Sequence, residues 1–283
     1  SLLLDTAYQY ELQKDYPRAL EAYENAYALS PGGETRRRLL LALCNLGAER
    51  LNRGLTAELE PLVARGEKLA PKDAGVLALK RNLALAQERS KLEKRMGEAE
   101  RAAAAGKHED ALKLLREVEA RDPMFPELRA ALASSLFELK RYGESLTYYR
   151  AEDELGRGFY PALGVLYCLH HLRRSREALA LLPATQARFP GAEEARALTK
   201  LQVQALRALG EPRAAAEVLR AKAEAEPGER SFQVLLGNLY FELKDYDRAE
   251  ACYGRLGGRR DALLTYNLGV VQLKRGNLQE ALR

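Results

Sequence analysis

The chain has 283 residues, 47% of them hydrophobic and 30% charged, and its 45 basic against 40 acidic residues leave a formal charge of only +5. A surface so dense in both signs barely favours nucleic acid, and the longest apolar stretches, such as Leu39 to Cys44, fall far short of the roughly 20 residues a membrane-crossing helix needs. Cys44, Cys168 and Cys252 are odd in number and far apart inside apolar helical patterns, which argues against a disulfide framework and for a reducing compartment. The cytoplasm is the expected location. The periplasm stays open, because Ser1 and an apparently unfinished helix at Arg283 read as cut ends.

Taken in chain order, the helical elements come in pairs. The first pair places Ala7 and Tyr10 on one helix face, a turn at Lys14-Asp15-Tyr16, then Ala19, Tyr23 and Ala26 on a second face, and stops at Pro31. The second runs through Gly47, a turn at Arg53-Gly54, Leu59 and Val63 to Pro71, and is long and poor in aromatics. No proline interrupts Asp73 to Ala105, so this segment is expected to be one unusually long helix or two helices meeting near Ser90, with Gly97 weakening the continuous form.

The third pair follows as Ala99, Gly106, Ala111, Leu115 and Pro123. The fourth is Ala133, Leu136, a turn at Arg141-Tyr142-Gly143, Ser145 and Tyr149, with Arg157 where proline stands elsewhere. The fifth has Leu166, Leu169, Ala178, Leu182 and Pro190, and the sixth Val203, Leu206, Gly210, Ala215, Leu219 and Pro227. The seventh has Gly237, Tyr240, Lys244-Asp245-Tyr246, Ala249 and Tyr253, and a partial eighth has Gly269, Gly276 and Ala281. One small residue thus recurs as an anchor (Ala19, Leu59, Ala111, Ser145, Ala178, Ala215, Ala249, Ala281), and after Ala111 its spacing stays between 32 and 37 residues. A period near 34 is the length of one helix-turn-helix unit.

These residues resemble the tetratricopeptide-repeat family, most plainly in Leu236-Gly237-x-x-Tyr240 with Ala249 and Tyr253, and in Ala7-x-x-Tyr10 with Ala19, Tyr23, Ala26 and Pro31. The resemblance implies an all-α, right-handed solenoid of seven full units and a partial eighth. The expected organisation is one continuous array: 1–71 as N-terminal units, 72–105 as a long or inserted helical segment, and 106–283 as the remaining units.

The sequence offers little for catalysis. It contains no nucleophile elbow, no phosphate-binding glycine loop ending in Gly-Lys-Ser/Thr and no His-Glu-x-x-His. The glycines from Gly254 to Gly258 read as a helix terminus. His108 precedes Glu109-Asp110 in an expected solvated turn, and adjacent His170 and His171 point about 100° apart, so they cannot chelate one ion as an i, i+4 pair does. No enzyme activity, metal or cofactor is therefore expected.

A solenoid exposes a long concave surface lined by the first helix of each unit. The positions flanking the packing stripe fall fifteen, fourteen, eleven, eight and seven residues before each anchor. They give Asp5, Tyr8, Asn45 and Asn52 early, and Tyr167, His170, His171, Lys200, Gln204, Arg207, Asn238, Tyr266 and Asn267 later. Amides bond peptide backbone, tyrosine offers stacking area, and Lys200 with Arg207 suits a carboxylate. The expected partner site is Tyr167, His171, Lys200, Gln204, Arg207, Asn238 and Asn267, holding an acidic or C-terminal peptide, with no acid among the chosen neighbours. The family's carboxylate clamp is matched by Lys200 and Asn238, whereas Gln204 stands where asparagine is usual. The expected function is a protein-interaction scaffold. Alternatives left open are a regulatory or assembly arm of a larger protein, self-association, and RNA binding.

Overall fold

A computed structural model describes residues 2–256 and 262–277, in which fifteen α-helices and one 3-10 turn account for the regular structure and no strand occurs. The chain packs as two units, Ser1–Glu98 and Ala99–Arg283. The first holds α1 (Leu2–Leu12), α2 (Tyr16–Leu29), α3 (Gly33–Asn52), a 3-10 turn at Thr56–Glu58, α4 (Leu59–Leu69) and the start of α5 (Ala74–Ala104). The second holds the end of α5, then α6 (His108–Arg121), α7 (Leu128–Glu138), α8 (Tyr142–Glu154), α9 (Phe159–His171), α10 (Ser175–Arg188), α11 (Ala192–Ala208), α12 (Pro212–Ala225), α13 (Arg230–Glu242), α14 (Tyr246–Arg255) and α15 (Ala262–Arg275). From α1 to α4 in the first unit and from α6 to α15 in the second, each helix packs on the next one in the chain, as an α-solenoid requires. The segment after Pro71 is one 31-residue helix that passes through Ser90 and Gly97 unbroken. His108 opens α6 instead of sitting in a turn before it.

The anchor is where each pair closes. Ala19, Leu59, Ala111, Ser145, Ala178, Ala215 and Ala249 are all 0% exposed; Ala281 lies outside the described residues. A small side chain lets the two helices approach, and the one polar anchor supplies its own partner: Ser145 Oγ donates to the Ala133 carbonyl at 2.7 Å. Twelve residues earlier the partner position is equally tight. A Cβ on Gly237 would stand 2.5 Å from the Tyr253 ring, and one on Gly47 2.5 Å from the Leu79 side chain. Around these contacts lie the large buried side chains, including Tyr23, Leu43 and Leu59 in the first unit and Leu166, Leu169, Leu219 and Phe232 in the second. Each such burial is worth about 1.5 to 3 kcal/mol.

The turn within each pair is one repeated device. Five residues before every anchor stands a left-handed residue: Lys14, Gly54, Gly106, Lys140, Arg173, Gly210, Lys244 and Gly276, with φ from 58° to 85°. The next residue then donates its N–H back to a carbonyl near the end of the first helix, as in Arg141 to Leu136, Glu211 to Leu206 and Asp245 to Tyr240, each at 2.9 Å. This is the Schellman closure, which satisfies carbonyls the helix end would leave bare.

Between pairs the stop is proline. Pro31, Pro71, Pro123, Pro190 and Pro227 each follow a helix end by two residues, and the intervening Ser30, Ala70, Asp122, Phe189 and Glu226 all leave the helical region, with φ from −126° to −156°. Proline excludes the α conformation from the residue before it. After α8, where Arg157 replaces proline, the chain instead turns through Gly156 at φ 69°.

Candidate interaction face

In the second unit the first helices of successive pairs are α7, α9, α11, α13 and α15, and the expected partner residues sit on four of them. Tyr167 and His171 lie one turn apart on α9, where they join residues of the preceding pair. His171 stacks on Tyr142, with ring centroids 4.4 Å apart and planes 9° from parallel, and both His171 and Tyr167 meet Phe137 edge-on at 5.5 and 6.5 Å. Tyr167 is half-buried, and burial pushes its phenol up. His170 faces Ser175, its Nδ1 3.1 Å from the hydroxyl. Burial lowers the pKa of both histidines, and each of His171 and Arg173 adds to the effect on His170.

On α11, Lys200, Gln204 and Arg207 are exposed at helical spacing on one face. Lys200 and Gln204 make no side-chain hydrogen bond or ion pair among the described residues. Arg207 differs from the expectation. Its guanidinium is bonded to Glu242 at the end of α13, the two side chains being 45% and 47% exposed. Glu242 stands seven residues before Ala249, one of the face positions, so the rule that selected the cations also held the acid that pairs with one of them.

Asn238 on α13 is exposed, but its carbonyl oxygen accepts from Tyr253 at 2.6 Å and from Asn267 of α15 at 3.4 Å. The two asparagines are therefore joined to each other. Tyr266, next to Asn267, is 68% exposed. The residues that sequence reasoning left out are Phe137, Tyr142 and Glu242. Phe137 and Glu242 occupy face positions, eight and seven before their anchors, but an apolar ring and an acid offer no donor to a peptide. Tyr142, in the turn, carried no face signal.

The first unit has a smaller set of the same kind. Glu11 accepts from Tyr23 and from Asn45, both at 3.0 Å, and Arg38 lies 5.8 Å from the Tyr8 ring centroid. Asp5, in the first turn of α1, and Asn52, at the end of α3, are both exposed. Cys168 and Cys252 are buried and Cys44 is partly so; burial raises the pKa of all three thiols. Among the described residues no three His, Cys, Asp or Glu side chains gather as metal ligands, and no helix is long and apolar enough to cross a membrane. Gly257 and Gly258 of the glycine cluster lie outside the described residues.

Comparison with known proteins agrees with this geometry. A tetratricopeptide-repeat family model matches residues 96–158 and 200–256. No curated protein matches the chain in sequence. Among solved structures, the chain is similar to PilW, a type IV pilus biogenesis factor, at 14% identity and TM-score 0.52 over 68% of this chain and 89% of that one. It is also similar to PilF of Pseudomonas aeruginosa, at 17% identity and TM-score 0.51 over 69% and 88%. MamA from Desulfovibrio magneticus RS-1 aligns at 20% identity and TM-score 0.48 over 58% and 92%. With the buried small anchor, the Schellman turn and the helix-pair stacking repeated along the chain, the family-model match identifies residues 96–158 and 200–256 as tetratricopeptide repeats.

Proposed function

We propose that the chain is a binding scaffold whose first-helix face from α9 to α15 holds a partner protein through an acidic or C-terminal peptide segment, with Tyr167, His171, Lys200, Gln204, Arg207, Asn238 and Asn267 as its contacts. The observation that carries this reading is the state of α11. Lys200 and Gln204 stand a turn apart, exposed and without a hydrogen bond or ion pair among the described residues, the charge of Lys200 being felt only at a distance by Glu229, beside amides on α13 and α15 and aromatic rings on α9. A cation with an adjacent amide can bind a carboxylate and a peptide backbone together.

Arg207 joins the site by exchange. Its pair with Glu242 is nearly half exposed on both sides, and such pairs are worth about 0 to 1 kcal/mol, so a ligand carboxylate can replace Glu242 at little cost. The test is affinity capture from extracts of the native organism with the intact chain, followed by titration of the recovered partner against Lys200→Glu and Gln204→Ala. Charge reversal at Lys200 should weaken binding by about 1 to 3 kcal/mol, the range for hydrogen bonds to charged groups, and should flatten the salt dependence. A partner that binds the Lys200→Glu chain unchanged removes this face from consideration.

A further inference from the structure

The second helices of the last pairs form a separate furrow. Between α12 and α14 run two adjoining hollows of about 330 and 490 Å³ that share Glu217, Tyr240 and Arg248. Their floor is apolar. Ala216, Leu236 and Cys252 line it together with the ring of Tyr240, all of them buried, and the Arg248 guanidinium lies 5.6 Å from the centre of that ring.

The rims are charged, and most of the charge is already spent. Arg220 bonds Glu217 at 2.7 Å and Glu224 at 3.0 Å, and Arg248 stands 3.5 Å from Asp245. Two rim residues take no hydrogen bond or ion pair among the described residues, and both are cations. Arg213 lines one hollow and Arg255 lines the other. The two hollows are lined by four arginines against three carboxylates, and because those carboxylates already hold Arg220 and Arg248, Arg213 and Arg255 are the cations left open to an incoming anion, one in each hollow.

We propose that this furrow is a second docking surface, distinct from the first-helix face, for a short acidic segment of a partner protein: a carboxylate at each end meets Arg213 and Arg255, and an apolar side chain between them rests on the floor around Tyr240. Arginine suits this task because its planar fork takes a carboxylate through two bonds. An apolar side chain on a floor already stripped of water adds the contact area that two exposed ion pairs lack.

The probe is a fluorescein-labelled decapeptide alternating glutamate with leucine around one central phenylalanine, read by fluorescence anisotropy against the full chain. Its lysine-for-glutamate counterpart is the control. The acidic peptide should bind and the basic one should not, and Arg213→Glu with Arg255→Glu should raise Kd at least tenfold while Lys91→Glu, at an exposed cation of α5 outside both surfaces, leaves it within twofold. Both arginines are exposed and without an ion pair among the described residues, so far-UV circular dichroism should show the double variant folded. If it is not, Arg213→Gln with Arg255→Gln replaces it, with an expected loss of at least fivefold. Absence of binding to the acidic peptide overturns the proposal. So does binding that survives the arginine changes, and a loss on Lys200→Glu alone would assign the peptide to the first-helix face instead.

Discussion

Replacing Gly210 by Ala tests the repeated turn at a place where nothing else changes. Gly210 has φ +77°, and a Cβ there would meet no atom within 4 Å, so the substitution adds no clash. What remains is conformational: an L-residue in the left-handed region costs about 1 to 2 kcal/mol, offset by about 0.4 to 1 kcal/mol because alanine also restricts the unfolded chain. The net expectation is a loss of about 0.5 to 1 kcal/mol. Lys140→Gly supplies the mirror experiment, since Lys140 holds φ 60° in the same turn of another pair, and it should gain a similar amount. Repeat arrays unfold in parts and a single unfolding free energy is poorly defined for them. The assay is therefore hydrogen exchange at the turn amide, Glu211 N–H in one case and Arg141 N–H in the other, with urea melts at 222 nm as support. Exchange at Glu211 should quicken by up to about fivefold, the factor that 1 kcal/mol represents. If Gly210→Ala were neutral, or Lys140→Gly destabilised its pair, the turn would not be limited by backbone strain.

Gly237→Ala should cost about 1 to 3 kcal/mol by overpacking, because the ring it meets belongs to Tyr253, which is 2% exposed and tethered through its hydroxyl to Asn238. Gly47→Ala should cost less, since Leu79 presents flexible methyl groups there; thermal melts rank the two, and equal costs would contradict the argument. The depressed pKa values of His170 and His171 mean that protonation favours the unfolded chain. The stability they contribute is complete above the ordinary histidine value of 6.5 and is lost as pH falls through the lower folded values. Exchange of α9 and α10 amides should quicken below pH 6.5, and His170→Gln with His171→Phe should remove that dependence.

The pairing of helices was legible because it rests on single residues with no alternative. A buried alanine at Ala178 or Ala215 and a proline two residues past a helix end leave the chain few choices, and both recur at fixed spacing. The turn was only half legible. Gly54, Gly106 and Gly210 announce a left-handed residue, but Lys14, Lys140, Arg173 and Lys244 adopt the same conformation without any such mark, because the Schellman bonds and the packing around the anchor force it. Reading the fourth turn at Gly143 therefore missed Lys140, five residues before Ser145. The interaction face was legible in position and not in state. Spacing placed Arg207 and Asn238 on first helices, but whether a polar side chain is free depends on what the next pair brings beside it.

That dependence separates the residues of the face into two kinds. His171 with Phe137 and Tyr142, Arg207 with Glu242, and Asn238 with Asn267 each join one pair to its neighbour. Such side chains help set the spacing between pairs, and a ligand gains from them only what exceeds the bond it displaces. Lys200 and Gln204 make no such bonded link, Lys200 having only a charge attraction to Glu229, so a ligand meeting them displaces mainly water. Binding energy per contact should accordingly be largest at α11 and fall away on either side, although the linked residues outnumber the free ones. A scan of alanine substitutions against a captured partner would show this as a peak at Lys200 and Gln204. A flat profile, or one centred on Asn238 and Asn267, would mean that the links between pairs open when the partner binds.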